Sequence, residues 1–226
     1  EEIIKQVIFK SNTTEAELAP ASSHERELRY SMCKLIRRAY DQQLFFSTCG
    51  TMSQRLDEDT FIITPAKEDR LYIEPIEIVK IHNKTHERVK NPSTSQAMHA
   101  HIYKNHPEIN SIIMALPPSV MAFALTGETF DSRTIPESYI MLRDIPRVAF
   151  ATDVTHNDTV AKVIKPSVPV VLIDNVGIVT TGDSMLQAFD RLEVAEFSAR
   201  AILATQGIGT IRKIHQQDVD QINKAF

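Results

Sequence analysis

The side chains able to hold a metal, attack a carbon or relay a proton are few here and poorly grouped. His99 and His101 are two residues apart in a stretch that reads as helix, so their imidazoles project to different sides and do not share an ion. His82 and His86 are four apart, but Asn83-Lys84-Thr85 between them reads as a turn, which makes both solvated loop histidines. His156 stands alone before a short helix. Cys33 and Cys49 fit no CxxC or Cys/His spacing and have no paired His and Asp, so they read as packing thiols rather than ligands or nucleophiles. Asp41, Glu58, Asp59, Glu68 and Asp69 fall in turns or at element ends, where solvated charge is the ordinary role.

The elements that must position any site belong to one ordinary core. A chain of 226 residues with 42% hydrophobic and 24% charged residues fits one globular domain, with neither disorder nor a fibre suggested. A formal net charge of −4 supplies no overall field for nucleic acid or an anionic membrane. The longest apolar runs, such as Val168 to Ile173, are far short of the roughly 20 residues that span a bilayer, and two cysteines are too few for a disulfide framework. A cytoplasmic protein is expected. The chain opens on Glu1 rather than methionine, which reads as a trimmed or excised piece of a longer protein.

Periodicity places the elements. Ile3, Ile4, Val7 and Ile8 predict a short N-terminal helix, and Ser11 to Ser23 a linker, so residues 1–22 are expected to be helix and linker and 23–226 the domain. A helix capped near Ser22 or Ser23 carries Leu28, Met32, Leu35, Ile36 and Ala39 on one face, with its arginines mostly elsewhere. Phe46 to Ser53 and Thr60 to Thr64 predict a hairpin, and Ile76 to His82 a further strand. A helix beginning near Asn91-Pro92-Ser93-Thr94 ends at His106-Pro107. Ile109 to Leu116, Ile145 to Phe150, Val168 to Ile173 and Gly177 to Thr180 read as strands, Val120 to Leu125 and Asn157 to Ile164 as short helices. The closing helix, capped by Asp183-Ser184, runs on an apolar stripe from Met185 to Leu203.

Four of these segments, in order, resemble the class II aldolase and adducin head family, which includes the fuculose and rhamnulose phosphate aldolases and ribulose phosphate epimerase. Phe46-Ser47-Thr48-Cys49-Gly50-Thr51-Met52-Ser53 is similar to the family's Gly-Asn-x-Ser stretch, and Ile62-Ile63-Thr64-Pro65-Ala66-Lys67 to its Ile-Thr-Pro-Ser-Gly. Asn91-Pro92-Ser93-Thr94-Ser95, with His99 and Ile102-Tyr103 following, resembles Lys-Pro-Ser-Ser-Glu and the helix after it. Val170 to Gly182 resembles a strand ending in Asn-His-Gly. The likeness covers about Met32 to Thr205 and implies a three-layer α/β/α sandwich with a central, mostly antiparallel sheet.

It also implies a zinc ion stabilising an enediolate, held by three histidines beside a glutamate acid/base. Carried over residue by residue, the ligand positions are Met114, Leu116 and Val176, and the glutamate position is Ser95. Neither Leu nor Val has a lone pair and Met is a soft thioether, so no metal and no cofactor is expected. The family's phosphate loops leave Gly50, Thr51, Ser93 and Thr94 as candidate anion donors, with Lys67 adding a cation. Family members commonly form ring tetramers, so a homo-oligomer is expected, with neither nucleic acid nor a membrane span. Two functional readings stand at this point: a non-catalytic binding or scaffold module with a protein partner or weak sugar-phosphate ligand, and an enzyme with relocated chemistry on Ser93, Thr94, Ser95, Lys67 and His156.

Overall fold

The computed structural model describes residues 13–150 and 158–225. The predicted N-terminal helix and His156 therefore lie outside the described residues. Nine strands form one sheet: β1 (Thr14–Ala16), β2 (Thr51–Arg55), β3 (Thr60–Ile63), β4 (Val79–His82), β5 (Thr85–Glu87), β6 (Ser111–Ala115), β7 (Arg147–Val148), β8 (Val170–Ile173) and β9 (Gly177–Gly182). Their spatial order is β1-β5-β4-β3-β2-β6-β9-β8-β7. Only the β1–β5 and β7–β8 pairs at the two edges are parallel, and the rest are antiparallel.

Strand alternation divides the core in two. Ile113, Ala115, Leu172 and Ile178 face one side, while Ile112, Met114, Val171, Ile173 and Val179 face the other. The first side is covered by α1 (Ser23–Asp41), α3 (Pro118–Thr126) and α6 (Met185–Ala204), through residues such as Met32, Ile36, Phe123, Phe189 and Leu192. The second is covered by α2 (Gln96–Asn105) and α5 (Asp158–Val163), through Met98, Ile102, Val160 and Ala161. The described residues hold two further helices, α4 (Pro136–Leu142) and α7 (Gln216–Ala225). The result is an α/β/α sandwich.

Local chemistry explains the boundaries. The Ser22 and Ser184 hydroxyls cap α1 and α6 by accepting from the Glu25 and Gln187 amides at 3.1 and 3.3 Å. Pro117-Pro118 stops β6 and opens α3, whose first amides, Ser119 and Val120, donate to the buried Glu196 carboxylate at 3.0 and 3.2 Å. Asn83, with φ of 52°, turns β4 into β5.

Several expectations are corrected. The stretch read as linker contains β1, and the hairpin's first strand starts at Thr51, because Phe46 to Cys49 closes on itself as a tight turn. His86 is no solvated loop residue: it lies in β5, is 7% exposed, and its Nδ1 bonds the Thr13 hydroxyl at 2.9 Å. Arg29 is likewise buried in α1, where it bonds Glu25, Glu87 and the Ile78 carbonyl. Lys80 of β4 completes that cluster, with its ammonium 2.7 Å from Glu25.

Candidate functional site at the ends of β2 and β6

Three loops meet where β2 begins and β6 ends. Thr64 ties them together: its amide donates to the Met52 carbonyl at 3.0 Å, and its own carbonyl accepts the Ser93 amide at 3.0 Å. The Ala66 amide bonds the Asn91 carbonyl at 2.8 Å. Residues 50–52, 64–67 and 91–95 are thus laced by backbone bonds before any side chain contributes.

Side chains then add a chain of hydroxyls. Thr51 Oγ1 lies 2.8 Å from Ser93 Oγ, which lies 3.1 Å from Ser95 Oγ, and all three residues are buried. Ser95, the position of the glutamate in the family pattern, is the N-cap residue of α2, but its hydroxyl makes no capping bond there. Ser53, two residues along β2 and so on the same face, sits 2.7 Å from both His99 Nδ1 and the Tyr103 hydroxyl. His99 is completely buried and its Nε2 has no hydrogen-bond partner among the described residues. Burial therefore pulls its pKa down to about 3, and the imidazole stays neutral. Burial also raises the Tyr103 phenol, against the lowering effects of the Ser53 hydrogen bond and the Arg55 charge.

The opposite wall is hydrocarbon and thioether. Thr51 is paired across the ladder with Met114, so their side chains leave the same face roughly 5 Å apart. Leu116 follows β6, and Val176 stands in the turn between β8 and β9. The next residue, Gly177, has φ of 148° and packs so closely on β6 that a Cβ there would lie 2.2 Å from the Ala115 carbonyl oxygen and 3.4 Å from Leu116 Cγ. Met114 is 8% exposed, and the half-buried Val176 packs against its cluster. The structure therefore brings Met114, Leu116 and Val176 to one end of the β6–β9 pair, with Met114 beside Thr51 of the hydroxyl chain.

A zinc ion of the kind the resemblance implies needs nitrogen, oxygen or thiolate donors. One thioether and two hydrocarbons do not fit it. Among the described residues, no group of three or more His, Cys, Asp and Glu side chains is arranged to hold a metal.

The remaining candidates occupy the rim. Gly50, with φ of 101°, lies against the Phe45 ring, where a Cβ would come within 2.3 Å. Lys67 is exposed and has φ of 65°, the left-handed conformation expected of the glycine it replaces. Thr94 is exposed beside buried Ser93. A cleft of about 430 Å³ opens elsewhere, on the α1 side of the sheet, lined by residues including Glu17, His24, Asp57, Lys80 and His82. Its buried charges, Glu25 and Lys80, are matched to each other, so it gives less reason to expect a ligand than the loops do.

One residue escaped the sequence reading. Arg70 is 2% exposed, and its guanidinium donates to the carbonyls of Gly50 at 2.8 Å, Glu68 at 2.7 Å and Pro65 at 3.0 Å. Burial lowers its pKa to about 10, against raising effects of Cys49, Glu68 and Asp69, so it remains a cation near neutrality. Between Glu68-Asp69 and Leu71, nothing in the local pattern marks it as buried.

Known proteins share this architecture. The L-fuculose phosphate aldolase of Methanococcus vannielii is 27% identical over 170 residues, covering 74% of this chain and 91% of that protein. The crystal structure of YgbL from Klebsiella pneumoniae superposes with a TM-score of 0.77 at 19% identity, over 88% of this chain and 98% of that one. The L-fuculose 1-phosphate aldolase from Glaciozyma antarctica PI12 gives 0.75 at 14% identity, over 99% and 88%. The model of the Class II Aldolase and Adducin N-terminal domain matches residues 30–203, and with most of its length so matched the chain belongs to that family.

Proposed function

We propose that this chain is a non-catalytic member of its family, a binding or scaffold module that retains the ligand loops and has lost the metal chemistry. The observation that carries the reading is the donor set. Where the family pattern implies three imidazoles and a glutamate, the side chains are Met114, Leu116, Val176 and Ser95. A single lost ligand is replaceable by a neighbour, whereas the joint loss of three ligands and the acid/base is not. Retro-aldol cleavage leaves an enediolate charge that nothing on this wall stabilises. The apolar residues fill the space instead, burying hydrocarbon without leaving an unpaired imidazole.

The ligand class that suits the surviving loops is a small anion such as a sugar phosphate, met at the rim by Gly50, Thr51, Lys67, Ser93 and Thr94. The laced backbone and the buried hydroxyl chain from Thr51 to Ser95 support a preformed rather than collapsed cradle. Assembly with further copies of the chain is supported by Phe197 and Leu186, which are 65% and 55% exposed on α6. Light scattering that finds only monomer at micromolar concentration counts against that part. The decisive assay supplies zinc and screens sugar phosphates for lyase and epimerase turnover. None is expected, and turnover that needs zinc refutes the reading.

A further inference from the structure

We propose that Arg70 is a positioning residue for an anion at the Gly50, Lys67 and Ser93 loops, supplying from beneath the rim a positive charge that no ion pair among the described residues neutralises. The inference rests on the anion-site reading above and adds to it the residue that creates the local field.

Two buried arginines make the case. Arg29, 4% exposed, has Glu25 at 2.6 Å and Glu87 at 3.0 Å, and its charge is matched. Arg70 is buried as deeply, yet among the described residues it makes no ion pair. Its three acceptors among the described residues are all backbone carbonyls. Carbonyl dipoles satisfy N–H groups but do not cancel an integer charge, and an uncompensated buried cation is normally costly. Glu68 and Asp69 contribute to its field, but both are exposed and screened by solvent.

The guanidinium also occupies a telling place. It holds the carbonyl of Gly50, directly before Thr51, and that of Pro65, directly before Ala66-Lys67, while its own amide donates to the Ser47 carbonyl at 2.8 Å. It thereby fixes the spacing of two of the three loops and sets its charge behind both. An anion on the rim completes the missing pairing across a buried, hydrogen-bonded layer of protein, where charge acts more strongly than in water.

The test is calorimetric titration with inorganic phosphate of the wild-type chain, Arg70→Met and Arg70→Lys. Lysine keeps the charge but cannot bridge three carbonyls, so both variants are expected to melt at lower temperature. Both variants are expected to bind phosphate more weakly, the methionine variant by about tenfold and the lysine variant, which keeps the charge, by less. Unchanged phosphate affinity in Arg70→Met, with wild-type binding intact, overturns the role of Arg70 and leaves the anion site standing. Absence of phosphate binding by the wild-type chain sinks the site and the inference together. Should Arg70→Met fail to fold, the Arg70 Nε–H resonance of the wild-type chain decides: it is expected to shift saturably with phosphate, and a resonance unmoved at saturation overturns the proposal.

Discussion

Two sides of the candidate site lie next to each other on paired strands, and their chemistry diverges sharply. On the β2 and α2 side, Thr51, Ser53, Ser93, Ser95, His99 and Tyr103 form buried polar chains backed by the Arg70 cation. On the β6 and β9 side, Met114, Leu116 and Val176 present a thioether and hydrocarbon. Burying polar groups is costly unless each is satisfied, whereas apolar groups are stabilised by burial. A site that had simply ceased to bind anything would be expected to become apolar throughout. A dense polar wall beside an apolar one is what the proposed function, metal chemistry lost and binding kept, requires.

The largest expected effect that sharpens this comparison lies in the polar wall. His99 is held neutral with a pKa of about 3, below its ordinary 6.5, so between those values the unfolded chain binds a proton that the folded chain refuses. Its contribution is complete above pH 6.5 and is lost as pH falls toward 3. Lowering the pH from 7 to 4 should cost about 3 kcal/mol through this one residue. Denaturant titrations across that range should show a shallower loss for His99→Gln. Equal slopes would mean that the imidazole is not shielded.

The apolar wall should respond to truncation instead of pH. Met114→Ala removes buried contacts on a strand whose neighbours cannot collapse freely, and should destabilise the chain by about 2–3 kcal/mol in equilibrium unfolding. A change below about 0.5 kcal/mol would show that the wall is loosely filled. The smallest effect belongs to the rim. Lys67 holds a left-handed backbone that disfavours side chains by roughly 1–2 kcal/mol, while glycine brings extra unfolded-state entropy. Lys67→Gly should therefore change stability by less than about 1 kcal/mol while weakening phosphate binding. A large destabilisation would show that the Lys67 side chain is a structural contact.

Most of the scaffold was legible because its signals are local. Ser22 and Ser184 caps, the Pro117-Pro118 stop and the long stripe of α6 each follow from neighbouring residues. Elements that escaped lack such signals. The α7 helix carries a stripe of just two aliphatic residues, buried Val219 and half-buried Ile222, too short to stand out in a polar segment, and β5 is three residues long with His86 buried through Thr13, 73 positions away. The candidate site divides the same way. Gly50, Thr51 and Ser93 were visible through motifs, while Arg70 became distinctive only when the fold set it against three carbonyls with no ion pair among the described residues.

The account depends most on the donor set at the β6–β9 end, and zinc titration by equilibrium dialysis with metal analysis tests it directly. The wild-type chain should retain no stoichiometric zinc, while the triple substitution Met114→His, Leu116→His and Val176→His should gain affinity if the chain folds around it. One tightly held zinc ion per wild-type chain, lost on mutation of Met114, would contradict the account.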